Sequence, residues 1–138
     1  MTDMIVSHSL RDFLKSRLAE SRTSFFPGKG RKLICPLCLR EITSRTGIEL
    51  HEALITRNAV NGHPEQDKIM VAFNCVLLDS KCHHSMIGSG GPKIYTACAW
   101  HLSQFEGYHR VHNWLTEMVE VFPTVGQEAL TRFESVWK

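Results

Sequence analysis

The chain has 138 residues, 43% hydrophobic and 22% charged, with a formal net charge of +2 at pH 7. That length fits a single domain, and the composition is that of an ordinary soluble globular protein. No apolar run is long enough to span a bilayer and Met1-Thr2-Asp3-Met4 lacks a signal pattern, so a cytoplasmic protein with no membrane partner is expected.

Charge and cysteine content narrow the reading further. The small net charge does not by itself argue for nucleic-acid binding, but its distribution is uneven. Residues 1–47 carry nine basic side chains against four acidic ones, and the rest of the chain is net negative by three. A basic arm of this kind suits a phosphate-backbone partner, although charge alone favours a solvated helix face followed by a polar linker. Five cysteines are an odd number, and two of them form Cys35-Pro36-Leu37-Cys38. In a reducing compartment that pattern reads as metal binding rather than disulfide pairing.

In chain order, Ser9 is a candidate N-cap with Asp12 three residues later, and Leu10, Phe13, Leu14 and Leu18 recur at helical spacing to about residue 20. Residues 21–32, with Pro27, Gly28 and Gly30, read as a linker, Phe25 and Phe26 pinning it to the core. Leu33 to Cys38 reads as a tight turn with facing cysteines. Ile48-Glu49-Leu50-His51 alternates as a strand does. Residues 58–68 form a polar connector with a turn at Asn61-Gly62. Val71-Ala72-Phe73 precedes Asn74, and Val76-Leu77-Leu78 follows it. Asp79 stands near the N-cap of a helix running to about Met86, which Gly88-Ser89-Gly90-Gly91-Pro92 ends.

The remainder reads as helical. Val111, Leu115, Met118, Val119 and Phe122 form one stripe ending at Pro123. Thr124 to Gln127 is a candidate capping box ahead of Leu130, Phe133 and Trp137. Trp100, Trp114 and Trp137 fall in or beside such stripes and are expected in the core. His109 and His112 are expected as surface or packing residues, and Cys75 and Cys98 as buried small hydrophobes.

The ordered set Cys35-x2-Cys38, His51-Glu52, Asn74 and Asp79-x2-Cys82-His83 resembles the HNH endonuclease family. The likeness covers residues 33–87. It implies an α+β fold: a small ββα-metal core with a zinc knuckle, flanked by an N-terminal helix and C-terminal helices. The corresponding divisions are 1–32 (helix and basic linker), 33–95 (core) and 96–138 (helical extension).

By the same resemblance, Cys35, Cys38 and Cys82 hold a structural zinc ion, with Asp79 where a fourth cysteine is usual. His84, Cys75 or a water are other candidates for that place. Asn74 ties down the loop between the strands, and His83 helps hold a catalytic divalent ion, Mg²⁺, Mn²⁺ or Ni²⁺. His51 is either the base, with Glu52 or Glu49 assisting the metal, or a ligand with Glu52 as base. A side chain with pKa near ~6.5 suits base work at neutral pH better than a carboxylate near ~4.3, which favours His51 as base. Arg57, Lys29, Arg31 and Lys32 are candidate DNA contacts. The expected activity is hydrolysis of DNA phosphodiester bonds; the alternative is a non-catalytic zinc module that binds DNA or protein on the same scaffold.

Overall fold

The architecture was obtained as a computed structural model, which describes residues 2–43, 47–81 and 91–138. The fold is α+β. Helix α1 spans Thr2–Ser21, followed by strands β1 (Thr23–Phe26) and β2 (Gly30–Leu33). Strand β3 (Ile48–Glu52) is followed by the short helix α2 (Arg57–Val60), a 3₁₀ turn (Gln66–Ile69) and strand β4 (Cys75–Asp79). Three helices complete the chain: α3 (Gly91–Glu106), α4 (Tyr108–Val121) and α5 (Pro123–Ser135). No helix among the described residues is long and apolar enough to cross a membrane.

Helix α1 starts well before the expected cap and carries Ser9 inside it. Residues 2–8 contain neither Gly nor Pro, so nothing breaks the helix there.

The segment expected as a linker is instead an antiparallel hairpin, with Thr23 opposite Leu33 and Phe26 opposite Gly30. Pro27 and Gly28 occupy the central positions of a turn closed by Lys29 N–H donating to Phe26 O at 2.9 Å. Gly28 takes φ 78°, which the second central position of a type II turn demands. Thr, Phe and Phe then propagate the strand, so the breakers mark a hairpin tip. Phe25 is 64% exposed and pins nothing.

Strands β3 and β4 pair antiparallel, with Leu50 opposite Leu77 and His51 opposite Val76. A two-stranded sheet buries too little to be stable alone. Here α1 packs on both strands and α3 packs on β4. One hydrophobic core runs from Leu18 through Leu33, Leu50, Leu77 and Leu102 to Phe133. The three sequence segments therefore contribute to a single core, and α3 crosses the division drawn at residue 95.

The C-terminal helices follow the expected stripe, with Val111, Leu115, Met118 and Phe122 buried and Trp114 added to them. Helix α5 starts with Pro123 at its first position and has no side-chain cap, so Thr124 is not the capping residue. Two tryptophans depart from expectation: Trp100 is 56% exposed and Trp137 36%. A helical stripe marks a helix face; it does not say whether a neighbour covers that face.

Gly126 is where α5 meets the end of α4. A Cβ there would lie 2.5 Å from the Met118 carbonyl oxygen, a backbone atom that cannot swing aside. Gly126→Ala is therefore expected to destabilise the protein by about 1–3 kcal/mol through overpacking, measured by urea unfolding. A second stability prediction concerns His101, only 8% exposed. Burial, aided by the Arg22 charge, holds its pKa down at about 4 against 6.5. Between those values the unfolded chain binds the proton and the folded one does not, so stability is lost as pH falls from about 6.5 to about 4. His101→Leu should flatten that part of the stability–pH curve.

Candidate functional site around the β3–β4 hairpin

The long excursion from β3 back to β4 is closed by Asn74, which is fully buried. Its side-chain oxygen accepts the Leu54 and Ile55 amides at 2.9 and 2.8 Å. Its Nδ2 donates to the carbonyls of Ile55 and Ile69, both at 2.9 Å. The Ala53 amide adds a backbone bond to Asn74 O at 2.7 Å, extending the strand ladder. Only a carboxamide offers two donors and two acceptor sites without charge; aspartate would set an oxygen against two carbonyls.

Arg22 grips the same segment from the other side. It is buried, and donates to Ala72 O at 2.8 Å, Cys75 O at 3.0 Å and Glu106 at 3.1 Å. Burial pushes its pKa down, while the Glu106 carboxylate opposes that shift. Arg11 donates to Leu50 O at 2.9 Å, next to His51. Nothing local in the sequence distinguishes these two arginines from the rest of the basic arm.

Strand β3 sorts its side chains by parity. Ile48, Leu50 and Glu52 are buried, whereas Glu49 and His51 lie half-buried on the opposite face. The structure thus brings Glu49, not Glu52, to the face of His51. Glu52 pairs with Arg57 at 3.0 Å, and Arg57 also meets Asp67 at 2.8 Å. Partial burial works against the Arg57 charge, but hydrogen bonds to Asp67 and Glu52 outweigh it and raise the pKa. Arg57 therefore joins β3 to the loop through two carboxylates, a constraint the sequence reading did not anticipate. The alternation Ile48, Leu50, Glu52 was the signal for the Glu52 orientation.

Asp79 ends β4, and its carboxylate accepts the Lys81 amide at 2.9 Å, capping the helical turn that begins at Ser80. Cys82, His83 and His84 lie outside the described residues, as do Arg45 and Thr46. Cys35 and Cys38 sit on one reverse turn, closed by Leu39 N–H donating to Cys35 O at 2.8 Å, and Cys35 is fully buried. Among the described residues, no group of three or more His, Cys, Asp or Glu is arranged to hold a metal ion. Cys75 and Cys98 are fully buried as expected, and burial pushes both thiols up to about 12. His112 lies near the surface and pairs with Glu134 at 2.8 Å.

Of the candidate DNA contacts outside the loop, Lys29 and Arg31 are exposed on the β1–β2 hairpin, where Arg31 donates to Thr23. Lys32 pairs with Glu41 at 3.5 Å. Comparison with protein-family models, curated proteins and solved structures finds no match to the chain.

Asn74→Ala would leave Leu54 and Ile55 amides and two carbonyls without partners. A loss of at least about 3 kcal/mol is expected, with faster hydrogen exchange at Leu54 and Ile55 than in the helices.

Proposed function

We propose that the protein is a metal-dependent nuclease of the HNH type that hydrolyses DNA phosphodiester bonds. The observation that carries this reading is the Asn74 clamp between two antiparallel strands, one bearing His51 and the other running directly into a capped helical turn. That frame is what the ordered sequence motif calls for, with Cys82 and His83 following the turn in sequence.

In this reading His51 takes the proton from the attacking water. Glu49, two residues away on the same strand face, orients His51 or contributes an oxygen ligand. Glu52 acts through structure, holding Arg57 and with it the loop. His83 would be the histidine ligand of the divalent ion. When bound, that ion supplies positive charge for the leaving oxygen. Cys35 and Cys38, two thiols on one tight turn, have the donor chemistry of half a structural zinc site, which Cys82 and Asp79 would complete. Asp79 accepts one hydrogen bond from Lys81, and a carboxylate has lone pairs to spare.

A second reading, a non-catalytic zinc module that binds DNA or protein, draws support from Glu52 being engaged by Arg57 rather than turned toward His51.

Supercoiled plasmid incubated with Mg²⁺, Mn²⁺ or Ni²⁺ separates the two. Under the nuclease reading the wild type nicks or linearises it, and His51→Ala and His83→Ala lower the rate by about 100-fold or more. Glu49→Gln is expected to reduce cleavage without unfolding the protein, whereas Glu52→Gln lowers stability first. Wild-type cleavage by both histidine variants would exclude the assignment; a DNA shift without nicking under all three ions would favour the module.

A further inference from the structure

A groove of about 710 Å³ opens between the β1–β2 hairpin, the Cys35–Leu39 turn and one face of α3. The nuclease reading makes no use of it. Large apolar side chains line it and stay exposed: Trp100, Trp137, Phe26 and Leu39, the last 75% exposed. Groups this size are rarely left together on a surface without an occupant.

The two indoles are held in place. Their ring centroids are 5.6 Å apart and tilted by 37°, and Trp137 is braced by Tyr108 at 5.1 Å and Phe133 at 4.9 Å. Such a platform loses little freedom when a flat ring packs on it.

Polar groups sit in the same lining. The buried Nε2 of His101 and the Oγ of Ser103 have no hydrogen-bond partner among the described residues, and both residues line the groove. Buried polar atoms without partners are uncommon in native structures. His101 is neutral at physiological pH, because burial holds its pKa at about 4, so it adds no charge to the lining. Apolar walls with a few converging polar groups describe a ligand site.

Charge indicates the kind of ligand. Among the described residues no Asp or Glu lines the groove, and its one charged lining residue, Arg22, is buried and paired with Glu106. By strand register Lys32 shares the face of Ser24 and Phe26 and pairs with Glu41, and Lys29 is exposed at the hairpin tip. Aromatic faces flanked by cations are how proteins hold unpaired nucleic-acid strands.

We infer that this groove stacks the bases of an unpaired stretch of DNA on Trp100 and Trp137. The inference deepens the nuclease reading by naming the form of DNA gripped, and rests on it for the choice of DNA.

The test is titration of His51→Ala protein, purified with its own metals and without added divalent ion, with oligo-dT. Tryptophan fluorescence and the anisotropy of labelled oligonucleotide are both read. Trp114 is buried, so quenching would report Trp100 and Trp137. Quenching, affinity that weakens with salt, and an affinity loss of about 10-fold in Trp100→Ala, with Trp137→Phe retaining most binding, are expected. Circular dichroism and Tm close to the parent's would certify the Trp100 variant as folded. Unchanged affinity in folded Trp100→Ala overturns the inference. So does a concentration-dependent dimer by sedimentation that Trp100→Ala dissolves, since the groove would then seat a second copy. Plasmid cleavage decides the nuclease reading separately: cleavage with unchanged oligo-dT affinity sinks only the stacking site, and Trp100-dependent binding without wild-type cleavage sinks only the nuclease.

Discussion

One carboxamide holds the centre of this protein. Residues 53–74 must leave one strand and return to its partner, and a loop entering the core brings backbone amides and carbonyls that water cannot reach. Asn74 satisfies two of each with a single uncharged side chain. The bonds also bear on register, because Asn74 O receives the Ala53 amide just beyond the strand pair. A slip of one residue would turn Glu49 and His51 inward and expose Ile48 and Leu50. The chemistry proposed for His51 therefore depends on a residue that need not touch substrate.

Arg22 extends the same constraint to the rest of the chain. Its guanidinium takes carbonyls on either side of Asn74 and a carboxylate at the end of α3, so the N-terminal helix, the hairpin and the C-terminal helices meet at one cation. The basic excess of residues 1–47 is thus partly architectural. Arg11 and Arg22 donate to backbone carbonyls of β3, β4 and the loop before β4, whereas Lys29 and Arg31 stay exposed on the β1–β2 hairpin. Counting charges along a sequence does not separate these roles, because an inward and an outward arginine have the same composition.

What the sequence made legible followed from periodicity and from the motif. The two-residue alternation of Ile48 to His51, the α4 stripe, the buried Cys75 and Cys98, and the capping position of Asp79 all have local signatures. Asn74 was expected as a loop tie, and its four hydrogen bonds tie the loop. The misses share one cause: they depend on what lies opposite. Pro27-Gly28 marks a hairpin tip or a linker equally well until strands pair beside it. The Glu52 orientation was readable by extending the Ile48–Leu50 alternation two positions, but the Arg57–Asp67 partnership was not, since Asp67 lies in a polar connector without a pattern.

The tryptophans show the same dependence. Helix α3 buries Cys98, Ala99 and Leu102 and turns Trp100 the other way, so its sequence contains two apolar faces of which the core covers one. If packing alone explained Trp100, burying it would contribute stability and a smaller residue would suit the exposed position as well. Trp137 argues similarly from the far end of the chain: it packs on Tyr108 and Phe133 yet leaves a third of its surface open toward Trp100. Two indoles, one on α3 and one just past the end of α5, meet at one open groove, which is the arrangement the proposed stacking of a flat ligand calls for.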